Sequence, residues 1–141
     1  MRGVYTKHNT VLSKLKHLMK PLIDPVPTDL IEAELTKDHF LRHTNNGGNT
    51  IYVVTAAQCP NVMREIGRLR ELSFRDGGGG TGADVDIDEQ DLDPEGYQQL
   101  LVWDPKEREI VGGYRFIISR TTHPKCMSPE HYFRFTDRFR N

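Results

Sequence analysis

Residues 61–118 have the sequence NVMREIGRLRELSFRDGGGGTGADVDIDEQDLDPEGYQQLLVWDPKEREIVGGYRFII. The stretch opens as an amphipathic helix, for which Pro60 is a favourable first residue because proline has no N–H to leave unpaired. The predicted apolar face of this helix consists of Val62, Met63, Ile66 and Leu69. The glycine-rich run at 77–82 ends the helix and predicts a mobile loop, because glycine restricts the backbone very little.

Two predicted strands follow an acidic segment. Residues 100–103 are a continuous apolar run, which favours a strand covered on both faces. Residues 104–108 are typical of a turn and 109–118 of a second strand, so the pair is predicted to be an antiparallel hairpin. A further strand is predicted upstream, at 51–56. The order strand, helix, strand, strand predicts an α/β (α+β) fold with a mixed, mainly antiparallel sheet and the helix on one face.

The N-terminal part divides into a basic extension and the start of the domain. Residues 10–20 fit an amphipathic helix with a basic polar face, which could lie on an anionic membrane surface or pack against the protein. We therefore assign 1–27 to an N-terminal extension and 28–141 to the domain. The domain is predicted to start with a short helix, capped by Thr28 and ending near Lys37.

Composition narrows the class of protein. A chain of 141 residues, 36% hydrophobic and 28% charged, is typical of one soluble globular domain, and a net charge of -1 argues against general attraction to nucleic acid. Cys59 and Cys126 lie outside any CxxC motif and the six histidines lack metal-ligand spacing, so we predict neither a disulfide nor a metal site. Reduced thiols favour a cytoplasmic location. Either cysteine would need a neighbouring base to act as a nucleophile.

Arg115 is the most informative single residue. It lies in the middle of a mainly apolar strand, where a guanidinium needs a carboxylate or a ligand, or must extend to water. Two faces are predicted for the strand: one comprises Val111, Gly113, Arg115 and Ile117, and the other Ile110, Gly112, Tyr114, Phe116 and Ile118. The pair Gly112 and Gly113 allows close approach of a backbone or a ligand, or marks a bulge.

The acidic segment 84–95 supports several hypotheses. Asp84, Asp86, Asp88 and Glu95 occupy positions 1, 3, 5 and 12 of a calcium loop, but Glu89 stands where such a loop needs glycine. Alternatively, some of these carboxylates bind a cation, either an amine substrate or a nearby arginine. The remaining ones, Asp84, Asp86 and Asp93, are then expected to be solvent-exposed.

The region also has a composite motif. A helix carries Arg70 and Phe74 four residues apart, a flexible loop and an Asp-x-x-Asp pair follow, and Gly-x-x-Arg lies on the strand after the next. The residues of the last two motifs are Asp88, Asp91, Gly112 and Arg115. From about residue 28 onward, and most specifically over 61–118, the sequence resembles hemolysin-like bacterial N-acyltransferases of the acyl-CoA N-acyltransferase (GNAT) fold. These are related to enzymes that N-acylate ornithine or glycine in membrane lipids and, more remotely, to acyl-homoserine-lactone synthases.

The resemblance implies transfer of an acyl group, expected to be long-chain, from an acyl carrier protein or coenzyme A thioester to the amine of an amino acid in lipid biosynthesis. That thioester is a co-substrate, and no bound cofactor is implied. In the lactone synthases the matching residues form a charged cluster beside the amine. The residues expected to bind substrate here are Arg70, Phe74, Asp88, Asp91 and Arg115. The alternatives are a non-catalytic calcium-binding or interaction module at 84–95 and a lactone synthase.

Two further expectations concern parts of the fold. The catalytic base is expected to be a Glu of a Glu-x-x-Arg motif that would lie beyond Asn141, which would make this chain a truncated, N-terminal half of the GNAT domain. Residues 75–80 match the R-x-x-G-x-G phosphate-binding signature of the same fold. We reject that match, because a phosphate cradle needs a strand before it and a helix N-terminus after it. Here a helix precedes the glycines and carboxylates follow them.

Overall fold

The computed structural model describes residues 19–118. The chain divides into two compact units. The described residues of the first are 19–26 and 64–86, here called the helix unit; those of the second are 27–63 and 87–118, here called the sheet unit. Most of the amphipathic helix predicted at 10–20 lies outside the described residues.

The sheet unit contains a four-stranded antiparallel sheet in the order β1-β2-β3-β4. Its strands are β1 (Phe40–His43), β2 (Thr50–Val54), β3 (Gln98–Asp104) and β4 (Glu109–Phe116). The predicted antiparallel hairpin, β3 with β4, is confirmed, as is the strand that became β2. Sequence reasoning missed β1, because all four of its residues are exposed and no alternation of polar and apolar residues marks it.

The first helix of the sheet unit is α1 (Thr28–Glu34), followed by a 3₁₀ turn at Lys37–His39. The predicted cap is wrong, because Thr28 is the first helical residue and Pro27 occupies the capping position without a side-chain hydrogen bond. Glu34, the last residue of α1, caps the next helix. Its carboxylate accepts the backbone N–H groups of Asn61 at 3.1 Å and Val62 at 2.9 Å, and both residues lie in the first turn of that helix.

That helix is α2 (Pro60–Asp76), which begins at proline as predicted. The first N–H groups of a helix have no partner within it, so a carboxylate from a distant segment is a favourable cap. Of the predicted apolar face, Val62 and Met63 are buried, and Ile66 and Leu69 are half-buried. The helix also buries two acids that the sequence did not single out, Glu65 and Glu71.

Burial alternates along β3. Gln99, Leu101 and Trp103 are buried, whereas Leu100 and Val102 on the other face are half-buried. The prediction of a strand fully covered on both faces is therefore wrong for the described residues. One face of the sheet carries the core, and a polar residue, Gln99, lies within that core face.

A bulge interrupts the pairing of β3 with β4. Val102 lies opposite Gly112, but the next residue, Trp103, lies opposite Ile110, so Val111 is the extra residue. Because cross-strand partners share a face, Ile110 shares the face of Trp103 and Gly112 shares the opposite one. The sequence-based grouping of Ile110 with Gly112 is therefore wrong, since strict alternation does not hold across a bulge.

Only one of the two adjacent glycines of β4 makes a close approach. A Cβ atom on Gly113 would lie 2.5 Å from the Leu100 carbonyl oxygen and 3.2 Å from the Leu101 Cα atom. On Gly112 it would meet no described atom within 4 Å. The close backbone approach predicted for the pair therefore occurs at Gly113, and the bulge lies immediately before Gly112.

Candidate functional site

Arg115 lies on β4 opposite Gln99 of β3 and shares the buried face of that strand. Its Nη1 donates to Asp88 Oδ2 at 2.7 Å and to Asp91 Oδ1 at 3.3 Å. The prediction that this guanidinium meets carboxylates is confirmed. Only 23% of the Arg115 side chain is exposed, so the alternative in which it extends to water is wrong.

The two carboxylates are held by a capping box. Asp88 immediately precedes α3 (Glu89–Leu92), and Asp91 is the third residue of that helix. Asp88 Oδ1 accepts the Asp91 N–H at 3.0 Å, and Asp91 Oδ2 accepts the Asp88 N–H at 3.2 Å. This reciprocal pairing requires two side-chain acceptors three residues apart, which the two acids supply. The Asp-x-x-Asp motif is therefore a local structural unit that presents two carboxylates to one guanidinium.

The two acids differ in exposure. The Asp91 side chain is fully buried, and its Oδ1 also accepts a hydrogen bond from Gln99 Nε2 at 2.8 Å. The Asp88 side chain is 36% exposed. Because a buried carboxylate must have its oxygens bonded within the protein, Asp91 has a positioning role. Asp88 is the carboxylate that a ligand in solution can approach.

An aromatic ring completes the arrangement. The guanidinium carbon of Arg115 lies 4.8 Å from the centre of the Tyr97 ring, within the range of a cation–π contact. We call this group the Arg115 cluster; its members are Asp88, Asp91, Tyr97, Gln99 and Arg115. Sequence reasoning missed Tyr97 and Gln99. A signal for Gln99 existed, since it alternates with Leu101 and Trp103 and so had to share their buried face.

The charges of the cluster stabilise one another. Burial alone lowers the pKa of the Arg115 guanidinium, but the hydrogen bond to Asp88 and the charges of Asp88 and Asp91 outweigh it and raise that pKa above its usual value. Arg115 is therefore positively charged at neutral pH.

The other two predicted site residues, Arg70 and Phe74, lie on α2 in the helix unit. Arg70 Nε donates to Asp86 Oδ2 at 3.2 Å, and the Asp86 side chain is 12% exposed. The expectation of a solvent-exposed Asp86 is thus wrong. Phe74 is 52% exposed. That Arg70 and Phe74 share a substrate site with the Arg115 cluster stays a prediction.

The calcium-loop hypothesis for 84–95 is wrong, because α3 occupies the middle of the segment. A calcium loop must wind its oxygen ligands around the ion, which a helix there prevents. Asp86 and Asp88 are also bonded to Arg70 and Arg115. Between residues 19 and 118, no three or more His, Cys, Asp or Glu side chains are grouped so as to hold a metal ion.

The glycine run after α2 is not arranged as a phosphate cradle. The backbone N–H groups of Thr81 and Gly82 donate to the Glu71 carboxylate at 2.9 and 2.8 Å. Those donors are therefore occupied by an acid of the protein itself, which agrees with the rejection of the R-x-x-G-x-G match. At this end of the run a buried side chain binds the backbone, and the mobility of the loop stays a prediction.

Cys59 is not arranged as a nucleophile, although a histidine lies beside it. Its Sγ lies 3.7 Å from both ring nitrogens of His39. Burial raises the pKa of the Cys59 thiol to about 11, with a smaller contribution from the charge of Glu34. Since the thiolate is the reactive form, Cys59 is an inert, buried thiol at neutral pH.

Comparison with known proteins identifies the family. A family model described as an acetyltransferase (GNAT) domain matches residues 69–141, just over half of the 141-residue chain. This chain belongs to the GNAT family. The match confirms the GNAT fold class expected from the resemblance. All five predicted substrate-binding residues lie within the matched segment of this GNAT chain. No solved structure matches the chain significantly.

Two curated relatives of this GNAT chain carry the same name. A glycine N(alpha)-acyltransferase of Bacteroides thetaiotaomicron is 47% identical over 126 residues, which cover 86% of this chain and 37% of that protein. A glycine N(alpha)-acyltransferase of Phocaeicola vulgatus is 45% identical over 126 residues, covering 86% of this chain and 39% of that protein. The chain thus spans under two fifths of the length of these relatives.

Two expectations from the sequence stay predictions. One is a catalytic base beyond Asn141, and the other is contact of residues 10–20 with a membrane surface. Within residues 19–118, no helix combines the length and the hydropathy that crossing a membrane requires.

Proposed function

We propose that this GNAT chain forms the amine-binding part of an N-acyltransferase that transfers an acyl group from a thioester to the amino group of an amino acid, with glycine as the acceptor. The observation that carries the proposal is the Arg115 cluster, in which a guanidinium and an approachable carboxylate, Asp88, are fixed side by side. The names of the two relatives support glycine as the acceptor.

The charges of the cluster suit an amino acid. Free glycine carries an ammonium and a carboxylate on one carbon, so a site for it needs both signs of charge close together. Asp88 supplies negative charge and Arg115 supplies a planar donor of the kind that best fits a carboxylate. A simple amine or a simple acid would use only half of such a site.

The reaction requires more than binding. The ammonium must lose a proton before nitrogen attacks the thioester carbonyl, so a general base has to accept that proton. A C–N bond then forms, the C–S bond breaks, and the leaving thiolate is protonated, while backbone N–H donors stabilise the negatively charged oxygen in between. We assign the amine-binding role to the Arg115 cluster and expect the base to be the Glu of the Glu-x-x-Arg motif.

We further infer a long acyl chain, carried by an acyl carrier protein or by coenzyme A, and a role in lipid biosynthesis in the cytoplasm, with residues 10–20 as the segment that would contact the inner membrane. The family match supports a thioester donor. A lactone synthase is the weaker candidate, because both relatives are named for acylation of glycine rather than for lactone formation.

The test is formation of N-acylglycine. A form of the protein long enough to contain the expected Glu-x-x-Arg motif is incubated with isotopically labelled glycine and a palmitoyl thioester of acyl carrier protein or of coenzyme A, and products are identified by mass spectrometry. Asp88→Asn removes the exposed carboxylate while preserving shape, and should raise the KM for glycine at least about ten-fold, the equivalent of one charged hydrogen bond. The matched control is Glu109→Gln, which neutralises an exposed acid at the start of the same β4 strand.

The outcomes separate clearly. Labelled N-acylglycine that depends on Asp88 but not on Glu109 supports the proposal. Absence of product with both thioesters, together with no chemical-shift change on titration of the chain with glycine, contradicts it. Product that forms equally well in Asp88→Asn would leave the acyl transfer standing and remove the Arg115 cluster from it.

A further inference from the structure

Glu71 of α2 is a fully buried acid whose oxygens are bonded to four donors. Its Oε2 accepts the Thr81 N–H at 2.9 Å and the Thr81 hydroxyl at 2.7 Å. Its Oε1 accepts the Gly82 N–H at 2.8 Å and Arg75 Nε at 2.7 Å. Such saturation is what an ionised carboxylate needs in order to remain buried.

The hydrogen bonds keep this acid ionised. Burial alone would raise the pKa of Glu71, but the bonds from Arg75, Thr81 and Gly82 outweigh it and lower that pKa to about 2. Glu71 is therefore an anion inside the helix unit at neutral pH. It lies outside the Arg115 cluster and is not assigned to the acyl-transfer chemistry above.

Residues 81–86, here called the strap, run back along α2. The Ala83 carbonyl accepts a hydrogen bond from Arg75, and the Asp86 N–H donates to the Gly67 carbonyl at 3.0 Å. Since Gly67 precedes Arg75 by about two turns of helix, the strap runs back towards the start of α2.

The other side of the strap is also bonded. The backbone N–H of Lys20 donates to the Gly82 carbonyl at 2.9 Å, and that of Ile23 to the Asp84 carbonyl at 3.2 Å. At its end, Asp86 accepts the hydrogen bond from Arg70 described above. The strap therefore lies between α2 and residues 20–23, and its last residue carries the acid that pairs with Arg70.

We propose that Glu71 is a positioning residue, whose buried carboxylate sets the register of the strap on α2 so that Asp86 meets Arg70. The part of the proposal that concerns catalysis rests on the proposed function and on the prediction from the sequence that Arg70 binds substrate. The sequence explains why a register device is needed. Thr81 is the sole side chain other than hydrogen in the run 77–82, so glycines alone would leave the return path unspecified.

A slip of one residue would be costly in this arrangement. The neighbours of Asp86 are Val85 and Ile87, so a strap displaced by one position would place an apolar side chain against the Arg70 guanidinium. Gly80 shows how closely the chain passes the carboxylate. A Cβ atom there would lie 2.9 Å from Glu71 Oε1 and 2.6 Å from Arg75 Cγ.

The test uses two matched pairs of variants in the full chain. Thr81→Val removes the hydroxyl that donates to Glu71, whereas Thr81→Ser retains it; Thr81 is exposed, so both variants should fold. Gly80→Ala places a methyl group against the carboxylate, whereas a methyl group at Gly79 would meet no described atom within 4 Å. Glu71→Gln is the direct variant and is read together with these pairs.

The first readout is amide hydrogen exchange at residues 82 and 86, measured by NMR. Thr81→Val, Gly80→Ala and Glu71→Gln should each accelerate exchange there at least about ten-fold, while Thr81→Ser and Gly79→Ala should stay within about two-fold of the native chain. Exchange unchanged in Thr81→Val and Gly80→Ala would overturn the proposal, whatever the enzymatic activity.

The second readout is the KM for glycine. Thr81→Val should raise it at least about five-fold with kcat within about two-fold, and Thr81→Ser should restore it. Faster exchange without any change in this KM would overturn the link to the amine site and leave Glu71 a structural acid. If the form that contains the Glu-x-x-Arg motif makes no N-acylglycine and the chain does not bind glycine, the proposed function fails, and the exchange readout still decides whether Glu71 sets the strap.

Discussion

Replacing Arg115 with methionine should destabilise the sheet unit by a predictable amount. Methionine keeps a long apolar stem but has no charge and no donor. The change removes the Arg115 contact of Asp91, whose side chain is fully buried, and the 2.7 Å hydrogen bond from Arg115 to Asp88. Gln99 Nε2 and the Asp88 N–H still donate to the Asp91 carboxylate, so that buried carboxylate keeps two of its hydrogen bonds.

The magnitude follows from three contacts. The contact with Asp88 is partly exposed and contributes about 0.5 to 1 kcal/mol. Loss of a charged hydrogen bond to buried Asp91 costs about 1.5 to 3 kcal/mol, less than the full cost of an unpaired buried charge because its other donors remain. The cation–π contact with Tyr97 adds about 0.5 kcal/mol. Since coupled contacts do not add fully, we expect a loss of about 2 to 4 kcal/mol in the free energy of unfolding.

Urea denaturation followed by tryptophan fluorescence measures this loss, because the single tryptophan, Trp103, lies on the buried face of β3. With a urea dependence of about 1 to 2 kcal/mol per molar, the midpoint should fall by roughly 2 M. The control is Arg108→Met, which removes another arginine with two acidic partners, Asp29 and Glu32, but at an exposed turn. Equal shifts in the two variants would refute the reasoning, since burial would then not matter.

Two further predictions concern single residues. Gly113→Ala should lower the free energy of unfolding by about 1 to 3 kcal/mol, because the added methyl group would overlap the Leu100 carbonyl, whereas Gly112→Ala should be neutral or slightly stabilising; thermal melts that rank the two in the opposite order would contradict this. Glu71 has a folded-state pKa of about 2 against an ordinary 4.5, so its stabilising contribution is complete above pH 4.5 and is lost as pH falls towards 2. Urea denaturation at about pH 7, 4 and 2.5 should therefore show the stability gap between the native chain and Glu71→Gln shrinking with acidity, and a constant gap would exclude the assignment.

Local patterns in the sequence were sufficient for several elements. Pro60 marked the start of α2, and the turn between two apolar runs marked the β3–β4 hairpin. The carboxylate partners of Arg115 were also predictable, because a charge in an apolar strand needs a partner whatever the details of the fold. Each of these inferences depends on residues that are close in the sequence or on a cost that any fold must meet.

The failures share a different cause. Glu34 caps a helix whose Asn61 lies 27 residues later, and Glu71 binds backbone ten residues beyond it, so neither partner can be read from spacing. The bulge at Val111 shifts the face of every earlier residue of β4; the pair Gly112 and Gly113 allowed for a bulge but did not give its position. Such contacts are fixed by tertiary packing, which is why hydrophobic periodicity did not predict them.

The exposure of the acids around α3 determines whether each acts inside the protein or towards a ligand. Asp86 and Asp91 are largely buried, and each is bonded to an arginine. Their charges therefore balance guanidinium groups and fix backbone, and they contribute little to the field outside the protein. Asp88 differs because it makes the same kind of bond to Arg115 while remaining 36% exposed. A cluster of this construction can hold its own geometry without a ligand and still present charge to one, which is the property that an amino-acid site requires.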